Sequence, residues 1–319
     1  MLSMNILMIV REDKSNRSND CFKQLYNTDW GDYLAISKGI MDLGCNCFIT
    51  DWEYWNGSDF TKTFLCNNQQ FVSLELNKVD LIHAHRLGDQ ACYLDKFLEM
   101  AQFVKSLHKP PLVINDPRTV KYGEHKEYLF DLQEKGIRVV PSYRVNDEKL
   151  IPFLEKGKTL VIKPYKGECG HNIKLISTID ELNKYKGLNH EFFVQEFFPT
   201  IYEEGERELF YLGTQHFLSA LKKPKEHEFR SNLFLDGHIK SYTATEKELE
   251  LSQSVMKTLD AMGYPMHYSR IDMLLSEQEI PYIIEATISD PSMGIELFNI
   301  GAQLGKPVAA YFCNLLKNK

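Results

Sequence analysis

No stretch of this 319-residue chain approaches the roughly 18 apolar residues of a membrane span. The early run MNILMIV has no basic residues before it and charges straight after it, so it reads as a buried first strand and not as a signal sequence. Long blocks of like charge are also missing. With charged residues at 25% and a net charge of −7, the chain offers no nucleic-acid face. The seven cysteines are scattered, with one C-x-C and no paired C-x-x-C. That excludes a zinc ribbon or a disulfide framework and fits reduced thiols. The ten histidines contain no H-E-x-x-H, and His83-x-His85 reads as a structural pair at the end of an apolar run. There is no G-x-x-x-x-G-K-[ST], so no P-loop. His85-Arg86-Leu87 is not H-R-D and no D-F-G occurs, which leaves a protein kinase unsupported. A soluble cytoplasmic protein with neither a membrane nor a nucleic-acid partner is expected.

What is present is α/β material. From residue 1 to about 112, strand and helix signals alternate: MNILMIV, the helical GDYLAISKGIMDLG, then NCFITDW, VDLIHAH, the amphipathic YLDKFLEMAQFVKSL, and PLVIND. This predicts βαβ units with a parallel sheet. The polar connection 11–30 follows the first strand, at the edge where open sheets bind ligands, although a surface loop fits equally. Residues 113–190 change to a helix over EHKEYLFDLQEKG, short strands around RVVPSYRV and TLVIKPY, and a second helix near STIDELNKY. Residues 191–319 add the strands EFFVQEFF, ELFYLG, HFLSALKK, HYSRIDMLL and PYIIEAT, with helices near EKELELSQSVMKTLDAMG and at the C-terminus. Three linked units, 1–112, 113–190 and 191–319, are the expected organisation, α/β passing to α+β in the C-terminal half.

Two places carry chemistry. Lys163 ends an apolar strand whose alternation puts Thr159, Val161 and Lys163 on one face, where the lysine is either a solvated edge residue or a ligand group. The loop after it, residues 166–172, has two glycines and backbone N–H groups that could cradle phosphate. Nearer the C-terminus, SRIDMLL and PYIIEAT are joined by the polar SEQEI and read as a hairpin. Centred on Gln278 and Glu279, it sets Asp272 opposite Glu285, with Cβ atoms about 4.5–5.5 Å apart. Carboxylates so close repel unless a cation intervenes, and Mg²⁺ takes one or two carboxylates together with phosphate oxygens. Thr287 projects from the same face. A pair at a solvated edge is the alternative.

The ordered set Lys126, Lys163-Pro164, the loop at 166–172, Gln195-Glu196-Phe197, Glu206-Arg207, Arg230-x-Asn232, Asp272 and Glu285 resembles the ATP-grasp superfamily, and within it the glutathione-synthetase-like amino-acid and peptide ligases. The resemblance covers about residues 113–295 and implies an ATP-grasp fold preceded by a parallel-sheet domain. It implies an ADP-forming ligase in which ATP phosphorylates a carboxylate and an amine displaces the acyl phosphate. By resemblance, Lys126 and Lys163 hold the α and β phosphates, with Lys166, Gly167 and Gly170 in the flap above them. The backbone of Gln195, Glu196, Phe197 and Phe198 meets adenine, and Glu206 meets the ribose. Arg230 and Lys223 serve catalysis, Asp272, Glu285 and Thr287 hold one or two Mg²⁺ (which Mn²⁺ can replace), and Arg86, Asn232 and Ser289 contact substrate. Small carboxylate and amine substrates are implied, and relatives in this branch are often homo-oligomers.

The chain departs from that family where E-x-N is usual after the metal glutamate. Here Glu285-Ala286-Thr287 puts a hydroxyl in place of the asparagine, with Asp290 as a substitute ligand. Two other readings follow: modification or cyclisation of a larger peptide, and a nucleotide-binding regulatory protein without turnover.

Overall fold

Ile6, Leu7, Met8 and Ile9 are completely buried, as a strand covered on both faces must be. The computed structural model describes residues 4–10, 32–84, 91–167, 170–232, 235–288, 291 and 301–317. They fall into two units: residues 1–121 together with 288–319, and residues 122–287.

In the first unit, β1 (Asn5–Val10), α1 (Asp32–Asp42), β2 (Asn46–Asp51), β3 (Thr63–Leu65), β4 (Gln70–Val72), β5 (Leu81–Ala84), α2 (Ala91–Lys105) and β6 (Leu112–Ile114) follow in order. The sheet runs β4-β3-β2-β1-β5-β6. Strands β2, β1, β5 and β6 are parallel, as expected, while β3 and β4 form an antiparallel edge that the wholly parallel expectation lacked. An aromatic core of Trp52, Trp55, Phe60, Tyr93 and Phe97 fills one side. His83 is buried against Phe312, and burial pushes its pKa down to about 4, so it stays neutral beside the Ile114 carbonyl. Its expected partner, His85, lies outside the described residues, as do the 11–30 loop, Cys169 and Asp290.

The C-terminal helix Gly301–Lys317 packs on α1, and two glycines permit the approach. A Cβ at Gly39 would lie 2.6 Å from the Gly305 carbonyl oxygen, and one at Gly305 would strike the Ala35 carbonyl. Asn115 Nδ2 also donates to the Ile288 carbonyl, at 2.7 Å. Where the sequence suggests three linked units, contacts divide the chain in two: it leaves the first unit near Lys121 and returns to it at Ile288.

The second unit holds two antiparallel sheets. Its first half contains α3 (Tyr128–Glu134), β7 (Ser142–Arg144), α4 (Leu150–Glu155), β8 (Leu160–Pro164), β9 (Lys174–Ile176), α5 (Ile179–Asn183) and β10 (Phe192–Glu196). The strand order is β7-β10-β8-β9. Leu150, Leu154, Leu160, Ile162, Ile176, Leu182 and Val194 cluster between the helices and one face, which leaves Val161 and Lys163 on the other. Next come β11 (Glu206–Leu212), β12 (Gln215–Lys223), β13 (His238–Ser241), α6 (Glu246–Ala261), β14 (Tyr268–Leu275) and β15 (Pro281–Thr287), with sheet order β13-β12-β11-β14-β15. A capping box between Thr245 and Glu248 starts α6, whose Leu251, Val255, Met256 and Leu259 are buried.

The β14–β15 hairpin pairs Asp272 with Glu285, but not by the expected symmetry. Leu275 opposes Pro281, so the turn is centred on Gln278. The register then shifts between Met273, paired with Ile283, and Asp272, paired with Glu285. Ile284 is the extra residue of a β-bulge, and it restores the opposition.

Replacing Gly305 by valine is expected to destabilise the first unit by about 2 kcal/mol or more, because backbone and not a movable side chain meets the new atoms. Gly187→Val, whose Cβ would meet open space, should change stability by less than about 0.5 kcal/mol. Thermal unfolding of the two variants measures the contrast.

Candidate active site

One face of the second sheet of unit 122–287 carries an unusual line of charge. Glu208 on β11 is paired directly with Asp272 on β14, and Asp272 directly with Glu285 on β15. Three carboxylates therefore stand in one row across three strands, and like charges so placed are destabilising unless neutralised. Two residues along β14, on the same face, Arg270 supplies part of the answer. Its Nε donates to Asp272 Oδ1 at 2.6 Å and its Nη2 to Oδ2 at 2.8 Å, and Nη2 also reaches Thr287 Oγ1 at 3.3 Å. Lys222 Nζ lies 2.7 Å from Glu208 and 3.3 Å from Glu206. Lys126 Nζ lies 3.3 Å from Glu285.

Burial raises the Asp272 carboxyl to about 7, with Glu208 and Glu206 adding to the rise and Arg270 opposing it. For Glu206, burial is outweighed by Lys222, the Ser231 hydroxyl and Arg270, and the carboxyl is held below its ordinary range. Burial opposes the charge of Lys222, but Glu206 and Glu208 prevail and its pKa rises.

Lys163 is no solvated edge residue. Burial pulls its pKa down to about 8 against the attraction of Glu285 and Glu206, so near neutral pH it is charged but readily discharged. Lys126 donates to the Gly167 carbonyl at 2.6 Å, at one end of the flap. At the other end, Arg230 Nη1 donates to the Gly170 carbonyl at 3.2 Å, while its Nε and Nη2 hold Glu228 at 2.9 and 2.7 Å. Those bonds pull Glu228 down to about 2. Gly170 is at φ 69°, and a Cβ there would lie 3.2 Å from Arg230 Cδ, so two constraints favour glycine. Lys166 is exposed on the flap.

On β10, Gln195 is buried. Its Nε2 donates to Ser142 Oγ at 3.0 Å, and its Oε1 has no hydrogen-bond partner among the described residues. An orphaned acceptor beside a strand backbone fits a ligand with an exocyclic amine, as adenine has. Glu196 accepts from Tyr143 at 3.1 Å, Phe197 meets Phe229 and Tyr202 edge-on, and Phe198 meets Tyr282. The oxygen-only donors Glu206, Glu208 and Asp272, with one ligand atom of each lying within 4.8 Å of the others, fit a hard cation such as Mg²⁺.

The structure thus gathers Lys126, Lys163, Glu206, Asp272, Glu285 and Thr287 into one charged network and ties Gly167, Gly170 and Arg230 to the flap. Lys223 is directed elsewhere: it alternates with Lys222 along β12, and its amine donates to the Glu203 carbonyl. Asn232 shapes the turn after Arg230, its carbonyl accepting from Leu235 and Gly237. Arg86 and Ser289 lie outside the described residues. Sequence reasoning missed Arg270 and Glu208, and it took Lys222 only as further positive charge beside Lys223 and Lys225. The signal available was spacing: Arg270 precedes Asp272 by two, and Glu206-x-Glu208 lies on one strand face.

Residues 137–284 match the family model for the ATP-grasp domain of prokaryotic glutathione synthetase. Over its whole length the chain superposes on D-cycloserine synthetase DcsG, with a TM-score of 0.68 and 14% identity, covering 98% of this chain and 100% of that one. The chain has the ATP-grasp fold. The chain is similar in sequence to the glutathione synthetase of Synechocystis sp., 26% identical over 222 residues, 66% of each chain. It spans between 54% and 76% of the length of the curated relatives it matches. The macrocyclase MdnC from Microcystis aeruginosa MRC, solved with its precursor peptide MdnA, shares the fold at TM-score 0.65 and 15% identity, covering 98% of this chain and 100% of MdnC.

The depressed pKa of Lys163 has a measurable sign. Nucleotide phosphate favours the protonated amine, so ADP affinity is expected to fall as pH rises through about 8, approaching tenfold per pH unit above it. Lys163→Met should bind ADP more weakly at neutral pH and lose most of that slope. Calorimetric titrations between about pH 7 and about pH 9 would show it.

Proposed function

We propose that the protein is an ATP- and Mg²⁺-dependent carboxylate–amine ligase that forms an amide bond through an acyl phosphate and releases ADP. The observation that carries this reading is the row Glu208–Asp272–Glu285 with Lys126 against its outer carboxylate and Lys163 in its field. Cations and carboxylates arranged on one sheet face suit metal-bridged phosphate, where catalysis is positioning and charge neutralisation. The similarity to glutathione synthetases and the ATP-grasp fold support it.

In this reading, Lys126 and Lys163 bind the phosphates. The flap, with Lys166, Gly167 and Gly170, covers them and excludes the water that would hydrolyse an acyl phosphate. Gln195 Oε1 and the backbone of Glu196, Phe197 and Phe198 take adenine, and Glu206 takes the ribose or, with its neighbours, the metal. Asp272, Glu285 and Thr287 are the metal residues. Mg²⁺ supplies charge neutralisation and fixes the phosphate oxygens, and Mn²⁺ is expected to replace it. Arg230 stabilises the transferring phosphoryl group and the oxyanion formed on attack by the amine. Lys222, beside the carboxylates, is a stronger candidate for phosphate contact than Lys223, and Arg86, Asn232 and Ser289 are proposed for substrate.

The acyl and amine substrates are proposed to be amino acids or short peptides. A larger peptide is a second reading, supported by the fold shared with ligases solved with precursor peptides, the macrocyclase MdnC among them, although D-cycloserine synthetase shares it as widely. Competition by a peptide but not by free amino acids would select that reading.

ADP and phosphate release with Mg²⁺ATP, assayed against pooled amino acids and dipeptides, tests the proposal. Release should require a carboxylate and an amine together, and it should drop at least about 100-fold in Asp272→Asn and in Lys163→Ala. Undiminished turnover in both variants would sink the ligase reading.

A further inference from the structure

Glu208 is almost wholly buried, and the reading above gives it no substrate contact. Its Oε1 lies 2.7 Å from Lys222 Nζ and 3.2 Å from Arg270 Nε. Arg270 meanwhile commits two nitrogens to the two oxygens of Asp272. Those hydrogen bonds engage both Asp272 oxygens and set the guanidinium's positive charge against that of a cation bound there. Arg270 cannot discharge, because a guanidinium keeps its proton, and a buried charge left without a partner is strongly unfavourable. Glu208 stands directly across the strand pair from Asp272 and already touches the Nε that must let go.

We infer that Glu208 is a positioning residue that takes over Arg270 when Asp272 binds metal, keeping the guanidinium on the sheet face beside the phosphates. This rests on the reading of Asp272 as a metal residue. Lys222, on the other side of Glu208, pairs with the same carboxylate oxygen that faces Arg270 on β14. Without Glu208, Arg270 has reason to stay on Asp272 and compete with the cation. Although Glu208 stands in the oxygen cluster with Glu206 and Asp272, its effect on metal affinity is assigned to its hold on Arg270.

The test needs no turnover. Mn²⁺ binding is titrated in the presence of ADP, with free Mn²⁺ read by electron paramagnetic resonance, for the wild type, Glu208→Gln, Arg270→Met and the double variant. Loss of an outer partner should weaken Mn²⁺ binding about 10- to 100-fold in Glu208→Gln. Arg270→Met in that background should restore most of the loss, a coupling that a double-mutant cycle isolates. Glu208→Asp keeps the buried charge, serves if Glu208→Gln does not fold, and should show a smaller loss that Arg270→Met also relieves. Unchanged affinity in Glu208→Gln overturns the inference. So does a loss that Arg270→Met fails to relieve, which would make Glu208 a ligand in its own right. A wild type that binds no Mn²⁺ with ADP overturns the metal–nucleotide reading itself, and this inference with it.

Discussion

Repulsion between carboxylates is the constraint on which the second unit turns. Glu208, Asp272 and Glu285 face one another across three adjacent strands, and an unneutralised row of this kind would work against the pairing that creates it. The unit meets the problem with its own cations: Lys222 at one end, Arg270 in the middle, Lys126 at the other. Such an array is held together by pairing and is tense electrostatically. Asp272 sits near 7 and Lys163 near 8, both displaced toward their neutral forms by burial. A ligand bringing phosphate and metal would replace protein–protein ion pairs with better-matched ones.

The flap belongs to the same scheme. Lys126 and Arg230, the two side chains that hold its ends through the carbonyls of Gly167 and Gly170, are also the ones proposed to meet phosphate. Each cation therefore has a neutral acceptor on the flap. Exchanging a carbonyl for a phosphate oxygen strengthens the hydrogen bond, since the acceptor becomes ionised. On the proposed reading, phosphate and the flap carbonyls would draw on the same donors.

Much of this was legible in the sequence, and the failures have physical causes. Buried strands such as β1, β8 and β14 announce themselves by apolar runs or alternation. The edge strand β4 and the outermost β13 are short and largely exposed, so they leave no such trace. The Asp272–Glu285 pair was found by counting from a turn centre that is half a residue off, and the bulge at Ile284 absorbs the error. Arg270 and Glu208 were missed, and Lys222 was not placed beside the carboxylates, because their meeting depends on strand order in the sheet: β11 separates β12 from β14, and no local pattern encodes that. The choice between Lys222 and Lys223 is one of register, which flips with a single residue.

The path of the chain also sets an order of events during synthesis. Because Gly39 of α1 awaits Gly305, the opening third of the protein leaves the ribosome with that helix surface bare. The inserted unit, residues 122–287, comes next, its two ends joined where the Tyr128 hydroxyl bonds both the amide and the carbonyl of Ala286. The part translated second can thus fold first, and the part translated first stays unfinished until the last turns of helix arrive.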